Sequence, residues 1–491
     1  MSFQVLGFAL FFPICALVYF LLPDFKENLL KNIWLLAASY FFYMFNNPLY
    51  AIFLLYITIL SYFLGLLLNK RDNLKNNTLF TAIMVLLVLL PLLIFKYSNF
   101  AIRNVNIIAA KVGVPAFSEL SLTLPVGISF FTFAALGYVL DIRRGKIQVI
   151  NNFLHHMLFI SFFPTVLAGP IERAGHLVPQ FKEKHTFDVD RIKNGFLLML
   201  WGYFLKLVLS DRIAIFVNKI FNDGSYSGVY SILAILFYSL QIYFDFASYS
   251  YMALGVGEIL GFRLISNFER PYLADSIANF WRRWHISLTS FFRDYLYIPL
   301  GGNRKGLFRK YLNILIVFSV SGLWHGASWN FVFWGLLNGL FQIIGELTSS
   351  ARNKIGAILG FNPSAFSSRL LRTTLTFIFA SVAWTFFRAE SFMRAIQMLK
   401  SCLYFNPWVI FDGSMLKLGL KAFDIGVILL SAALVLYVSL MNEKGIVIRQ
   451  KINDQDLWFR WLFYIKAIMT VLLLGMYGPS YNSSDFIYFN F

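Results

Sequence analysis

Residues 311–345 read YLNILIVFSVSGLWHGASWNFVFWGLLNGLFQIIG, without one Asp, Glu, Lys or Arg. About 20 apolar residues are enough to cross the ~30 Å hydrocarbon core of a bilayer. The stretch therefore holds two apolar windows, 311–324 and 327–345, with His325 between them. An ionisable group at membrane depth is costly and commonly lines a cavity or a pathway. Gly322, Gly326, Ala327 and Ser328 would let another backbone or a slender ligand come close. Imidazole is also the side chain whose ordinary pKa suits proton transfer near neutrality. A histidine bonded to a backbone carbonyl between helices is the competing account of His325.

Similar windows recur outward in both directions, around 3–22, 33–45, 50–68, 79–97, 122–140, 152–169, 194–217, 227–246, 372–387, 422–441 and 460–478. Of the 491 residues 58% are hydrophobic, 19% aromatic and 13% charged, against roughly 25% charged in a soluble domain. That leaves too little charge to cover a water-soluble surface, and the bilayer is the expected solvent. Several windows are short, so the expectation is an all-α polytopic membrane protein of about eleven crossings, with re-entrant and interfacial helices among them. The uncharged first 23 residues read as a retained transmembrane helix rather than a cleaved signal peptide.

The net charge of +18 is spread over short connections between apolar runs, which is the topogenic bias of membrane proteins and not a nucleic-acid footprint. The connections 23–32, 69–78 and 141–151 carry Lys26, Lys31, Lys70, Arg71, Lys75, Arg143, Arg144 and Lys146, which places them in the cytoplasm and the N-terminus outside. Cys15 and Cys402 read as packing residues, and no convergent ligand set suggests a metal site. Without a fixed-period repeat, a low-complexity tract or a Gly/Ser linker, residues 1–491 read as a single membrane domain.

The stretch 263–310 concentrates nine basic residues. Asp275 or Ser276 suits a helix N-cap, and Ile277, Trp281, Trp284, Leu288, Phe291 or Phe292, and Tyr295 recur at three- and four-residue spacing. That predicts one helix with an aromatic face and with Arg282, Thr289 and Arg293 opposite. His285 falls on the edge of the aromatic face, either as an interfacial histidine without a chemical task or as a working one. His155, His156, His176 and His185 are assigned to structure or solvent. The turn Pro299-Leu300-Gly301-Gly302-Asn303-Arg304-Lys305-Gly306 is basic and glycine-rich but is not a P-loop. No G-x-S-x-G elbow occurs.

Taken together, several motifs carry a family likeness: Pro125-Val126-Gly127-Ile128-Ser129-Phe130-Phe131-Thr132-Phe133, Gly169-Pro170-Ile171-Glu172-Arg173, Tyr243-Phe244-Asp245-Phe246, Asn267-Phe268 and Pro271-Tyr272. The likeness continues in Phe280-Trp281-Arg282-Arg283-Trp284-His285-Ile286-Ser287-Leu288, in 292–304 (FRDYLYIPLGGNR), in Gly322-Leu323-Trp324-His325-Gly326 and in Phe386-Phe387-Arg388-Ala389. The chain resembles the membrane-bound O-acyltransferase family, and within it the bacterial branch of alginate and related polysaccharide or peptidoglycan O-acetylation proteins, most strongly over about 120–390.

The resemblance implies a ring of helices around a thinned centre, with a tunnel leading from a cytoplasmic donor to His325, the match to the family's essential intramembrane histidine. His285 matches the second, upstream histidine. It also implies a bacterial inner-membrane enzyme that takes an acetyl group from acetyl-CoA or another acyl thioester, with no permanently bound cofactor. The acceptor would be a cell-surface polysaccharide or an extracytoplasmic partner acetyltransferase. Arg282, Arg283, Arg304 and Lys305 are candidates for attracting the donor's phosphates, or for anchoring on lipid headgroups. Two positions depart from the pattern: Tyr251 stands where relatives commonly carry an acidic residue, and Asn338 where a histidine is often found. The alternatives are a transporter or flippase for an envelope precursor, a non-catalytic scaffold, and D-alanyl transfer from a carrier protein, whose branch is less well matched.

Overall fold

The computed structural model describes residues 1–3, 6–45, 47–477 and 486–487. Residues 4, 5 and 478, which belong to the first and last apolar windows, lie outside the described residues. The chain is an all-helical polytopic membrane protein. Among the described residues it forms no strand, only one antiparallel bridge between Phe268 and Trp284.

Eight helices among the described residues are long and apolar enough to cross a membrane: Pro48–Lys70, Thr78–Lys111, Val189–Asn222, Val229–Leu260, Gly306–His325, Phe366–Arg388, Ala422–Glu443 and Leu457–Leu474. The pair Trp329–Leu347 and Ser349–Ile358, bent by 50°, makes a ninth if it counts as one span. The windows at 3–22, 33–45 and 122–140 instead become Leu6–Leu21, Leu29–Met44 and Ile128–Arg143, of 16 residues each. At 1.5 Å per residue such a helix is about 24 Å long, short of the hydrocarbon thickness when standing upright. The window at 152–169 yields only Phe153–Ser161 before the chain turns. Local chemistry sets several starts. Asn77 accepts the Phe80 N–H at 2.9 Å, and Asn152 accepts the Leu154 N–H at 2.9 Å, so each side chain satisfies an otherwise orphaned helix donor.

Outer faces are apolar. Leu10 and Leu17 on Leu6–Leu21, and Leu429 and Leu430 on Ala422–Glu443, are exposed, an arrangement costly in water and neutral in lipid. By contrast, every residue from Ile128 to Ile142 is buried. That helix is apolar almost all round, as an interior helix should be.

The chain divides into two compact units, one collecting Met1–Met199 with Met252–Ile265, the other Leu200–Tyr251 with Ser266–Ile487. In the first, small residues allow close backbone approach. A Cβ on Gly195 would lie 2.6 Å from the Gly255 carbonyl oxygen, and one on Gly127, whose φ is +80°, 2.4 Å from that of Val166. The Glu172 carboxylate is buried there, accepting the Ile265 N–H at 2.6 Å and holding His176 Nδ1 at 2.8 Å. This contact raises the His176 pKa above its ordinary value, against the opposing effect of partial burial.

The second unit contains a buried ion triad. Lys206, in the π-helical turn Phe204–Ser210, places its ammonium 2.6 Å from Asp245 Oδ1 and 2.9 Å from Asp211 Oδ1, all three side chains being almost fully buried. Removing one partner of a buried ion pair leaves uncompensated charge. Lys206→Met is therefore expected to lower stability by about 3–5 kcal/mol, read as the thermal midpoint in lipid nanodiscs. An unchanged midpoint would show that the triad does not hold these helices together.

Candidate active site

His325 is the last residue of the helix Gly306–His325, and Trp329–Leu347 returns directly after it. The return is tight because glycines face carbonyls. A Cβ on Gly322 would lie 2.1 Å from the Phe331 carbonyl oxygen, and one on Gly335 would lie 2.1 Å from that of Phe318. The imidazole of His325 is 2% exposed and walled by aromatic rings. Ring centroids lie at 4.8 Å for Trp324, 5.0 Å for Trp334 and 5.4 Å for Phe387. Trp334 stacks on Trp384 at 5.4 Å, and Trp384 meets Trp284 at 4.9 Å, so the wall continues into the segment that carries His285.

That segment is not the single helix its spacing predicts. Ser276 caps Ile277–Arg283 as expected, with its side chain accepting the Asn279 N–H, but the helix stops there and restarts as Ile286–Phe292. The break lies at His285, whose φ is +45°. Its cause is pairing with another segment: Phe268 bridges Trp284, the Glu269 N–H donates to the Arg283 carbonyl at 2.9 Å, and the Ile286 N–H donates to the Asn267 carbonyl at 3.0 Å. Three- and four-residue spacing survives such a break, because both short helices keep the same side toward the interior. The break turns the His285 ring inward, 1% exposed, against Phe246 at 4.6 Å and Trp324 at 5.8 Å.

The two imidazoles lie with centroids 6.5 Å apart and planes at 56°. This exceeds the separation of a direct imidazole–imidazole hydrogen bond, in which the nitrogens approach to about 3 Å. An oxygen about 2.8 Å from one nitrogen of each ring, bent at its tetrahedral angle, spans such a gap. The arrangement can thus present a hydroxyl to two proton-handling groups among rings that exclude bulk water.

The basic candidates divide. Arg283 is engaged: its Nη1 and Nη2 donate to Glu443 at 2.9 and 3.0 Å, and Arg270 Nε donates to the same carboxylate at 2.7 Å. The three side chains tie the segment to the end of the helix Ala422–Glu443. Arg282, Arg304 and Lys305 are exposed, the last two in the glycine turn, where Gly301, Gly302 and Gly306 all take positive φ. Asn338 accepts the Trp281 indole N–H at 3.2 Å and so braces the aromatic wall.

The remaining histidines have neighbours in the first unit: His155 with Asn32 at 3.3 Å, His156 with Ser61 at 2.9 Å, His176 with Glu172, and His185 with the Gln180 carbonyl at 2.8 Å. Two features escaped the sequence. Ser250 and Ser287 join Asn267 beneath His285, and neither was singled out, Ser287 standing only as one member of the motif 280–288. The Lys206 triad did carry a signal, since the window 194–217 holds Lys206, Asp211 and Arg212, one cation in excess, and the window 227–246 holds a lone carboxylate, Asp245, and opposite charges inside apolar windows call for one another.

The profile of MBOAT, the membrane-bound O-acyltransferase family, matches residues 144–387, which include both site histidines. The chain is similar to the probable alginate O-acetylase AlgI of Pseudomonas aeruginosa, 34% identical over 402 residues that cover 81% of this chain and 74% of the relative. It is equally similar to the peptidoglycan O-acetyltransferase of Helicobacter pylori, 34% identical over 424 residues covering 81% and 78%. The teichoic acid D-alanyltransferase of Bacillus subtilis is more distant, 27% identical over 288 residues covering 54% and 69%.

Proposed function

Because this chain belongs to the membrane-bound O-acyltransferase family, we propose that it moves an acetyl group from a cytoplasmic thioester, acetyl-CoA, to a hydroxyl outside the cytoplasm. The membrane is the bacterial inner membrane. The acceptor is a cell-surface polysaccharide or an extracytoplasmic partner acetyltransferase. The observation that carries the proposal is the pair of buried imidazoles, His285 and His325, 6.5 Å apart within an aromatic wall on a membrane-spanning scaffold.

In this reading His325 is the general base. It takes the proton of the acceptor hydroxyl as the oxygen attacks the thioester carbonyl carbon, and a C–O bond forms as the carbonyl π electrons move to oxygen. The tetrahedral intermediate then collapses, the C–S bond breaks, and the thiolate leaves with the proton held by His325. His285 either relays that proton or stabilises the oxyanion. The aromatic wall keeps bulk water from competing with the acceptor hydroxyl. Arg282, Arg304 and Lys305 attract the donor's phosphates or anchor on lipid headgroups; the two hydrogen bonds from Arg283 to Glu443 favour a bracing role for Arg283.

The test supplies the purified chain, in nanodiscs with its envelope fraction, with radiolabelled acetyl-CoA or with D-alanine on a carrier protein. Label transferred from acetyl-CoA and none from the carrier is the expected result. Transfer from the carrier alone would replace the proposal with D-alanyl transfer, and transfer from neither would move the reading to transport of an envelope precursor.

A further inference from the structure

The Asn267-Phe268 motif has no task in the chemistry above, yet the Asn267 side chain is fully buried and engaged at both ends of its amide. Its Nδ2 donates to Ser250 Oγ at 3.0 Å, and its Oδ1 accepts from the Ser287 hydroxyl at 2.6 Å and faces His285 Nδ1 at 3.3 Å. Serine hydroxyls can donate or accept, so the amide could in principle stand either way round. The distances choose: 2.6 Å suits O–H···O and is short for N–H···O, whereas 3.0 Å is ordinary for N–H···O. Oδ1 therefore faces His285.

From this geometry we infer that Asn267 is a positioning residue for His285, holding its imidazole in the Nδ1–H tautomer. The inference rests on the reading of His285 as one of the catalytic pair. With Oδ1 opposite, a bare Nδ1 would set lone pair against lone pair, so Nδ1 carries the proton and Nε2 holds the lone pair. Neutral His285 then offers an acceptor at Nε2 and has no second N–H for an oxyanion. Its part is to take and relay a proton. The Asn267 backbone carbonyl, which accepts the Ile286 N–H at 3.0 Å, also fixes the chain one residue after His285.

The experiment measures kcat and KM for radiolabelled acetyl-CoA in nanodiscs with wild type, Asn267→Leu, Asn267→Asp and His285→Ala. It also records 15N spectra of histidine-labelled protein, with the His285 resonances identified by their loss in His285→Ala. Leu keeps the bulk of Asn267 but removes the acceptor, so kcat is expected to fall at least about tenfold with KM unchanged, a loss of the kind that follows a wrong tautomer. Asp restores an oxygen that accepts from both His285 and Ser287, and is expected to bring kcat back to within about threefold of wild type. A residue that only packs would give the opposite order, since Asp buries a charge and Leu does not.

Wild type and Asn267→Asp are expected to show the Nδ1–H pattern, which stays readable if Asn267→Leu fails to fold. Wild-type kcat in Asn267→Leu, no rescue by Asp, or an Nε2–H pattern in wild type would overturn the inference while an inactive His285→Ala leaves the catalytic pair standing. Full activity in His285→Ala would overturn both.

Discussion

His325→Ala is expected to abolish acetyl transfer, lowering kcat by about 10²–10⁴-fold, the contribution of a positioned general base. The side chain ends a helix and is surrounded by Trp324, Trp334 and Phe387. Substitution therefore removes the base from a site where water can replace it only poorly. Label transfer from acetyl-CoA measures the loss, with the elution profile and thermal midpoint in nanodiscs showing that the fold persists. His285→Ala is expected to cost less, about 10²-fold, the lower end of the range for a proton-transferring side chain, because its partner retains the first proton transfer. Unchanged transfer in His325→Ala with an intact fold would remove this histidine from the mechanism and restore the scaffold reading.

Gly335→Val is expected to be comparably damaging by a different route. A Cβ at Gly335 would stand 2.1 Å from the Phe318 carbonyl oxygen and 2.8 Å from its carbon, both backbone atoms of the facing helix. Backbone cannot step aside as the tip of a flexible side chain can, so Gly306–His325 and Trp329–Leu347 must move apart. Overpacking of this kind typically costs about 1–3 kcal/mol and occasionally more. His325 sits where the two helices meet, so its position moves with them and transfer is expected to fall at least about tenfold. Gly345 supplies the control on the same helix. A Cβ there would meet nothing within 4 Å, and Gly345→Ala should match wild type in both readouts. Equal thermal midpoints and equal transfer for Gly335→Val and wild type would show that the close approach is not needed.

Part of the site was legible because its chemistry is unusual for its surroundings. His325 stands out in an uncharged stretch, and the aromatic residues of 277–295, on either side of His285, recur at helical spacing. The Ser276 cap was legible as well, since capping is local to a few residues. The break at His285 was not legible, because it follows from pairing with 267–269, about eighteen residues upstream, and not from a proline or glycine at the break. Arg283 and Arg304 read alike as surface cations. Only the arrival of Glu443 from a distant helix end distinguishes them.

The sequence alone determined that this chain is an all-helical membrane protein with a histidine inside an uncharged apolar stretch, because hydropathy and charge act residue by residue and need no partner to be read. Tertiary structure decided which apolar windows become full crossings, how near His285 comes to His325, and which cations are engaged. Those outcomes depend on contacts between segments far apart in the chain. In a bilayer, small residues and buried polar pairs such as Lys206 with Asp211 and Asp245 draw helices together, where apolar surface alone gives little preference.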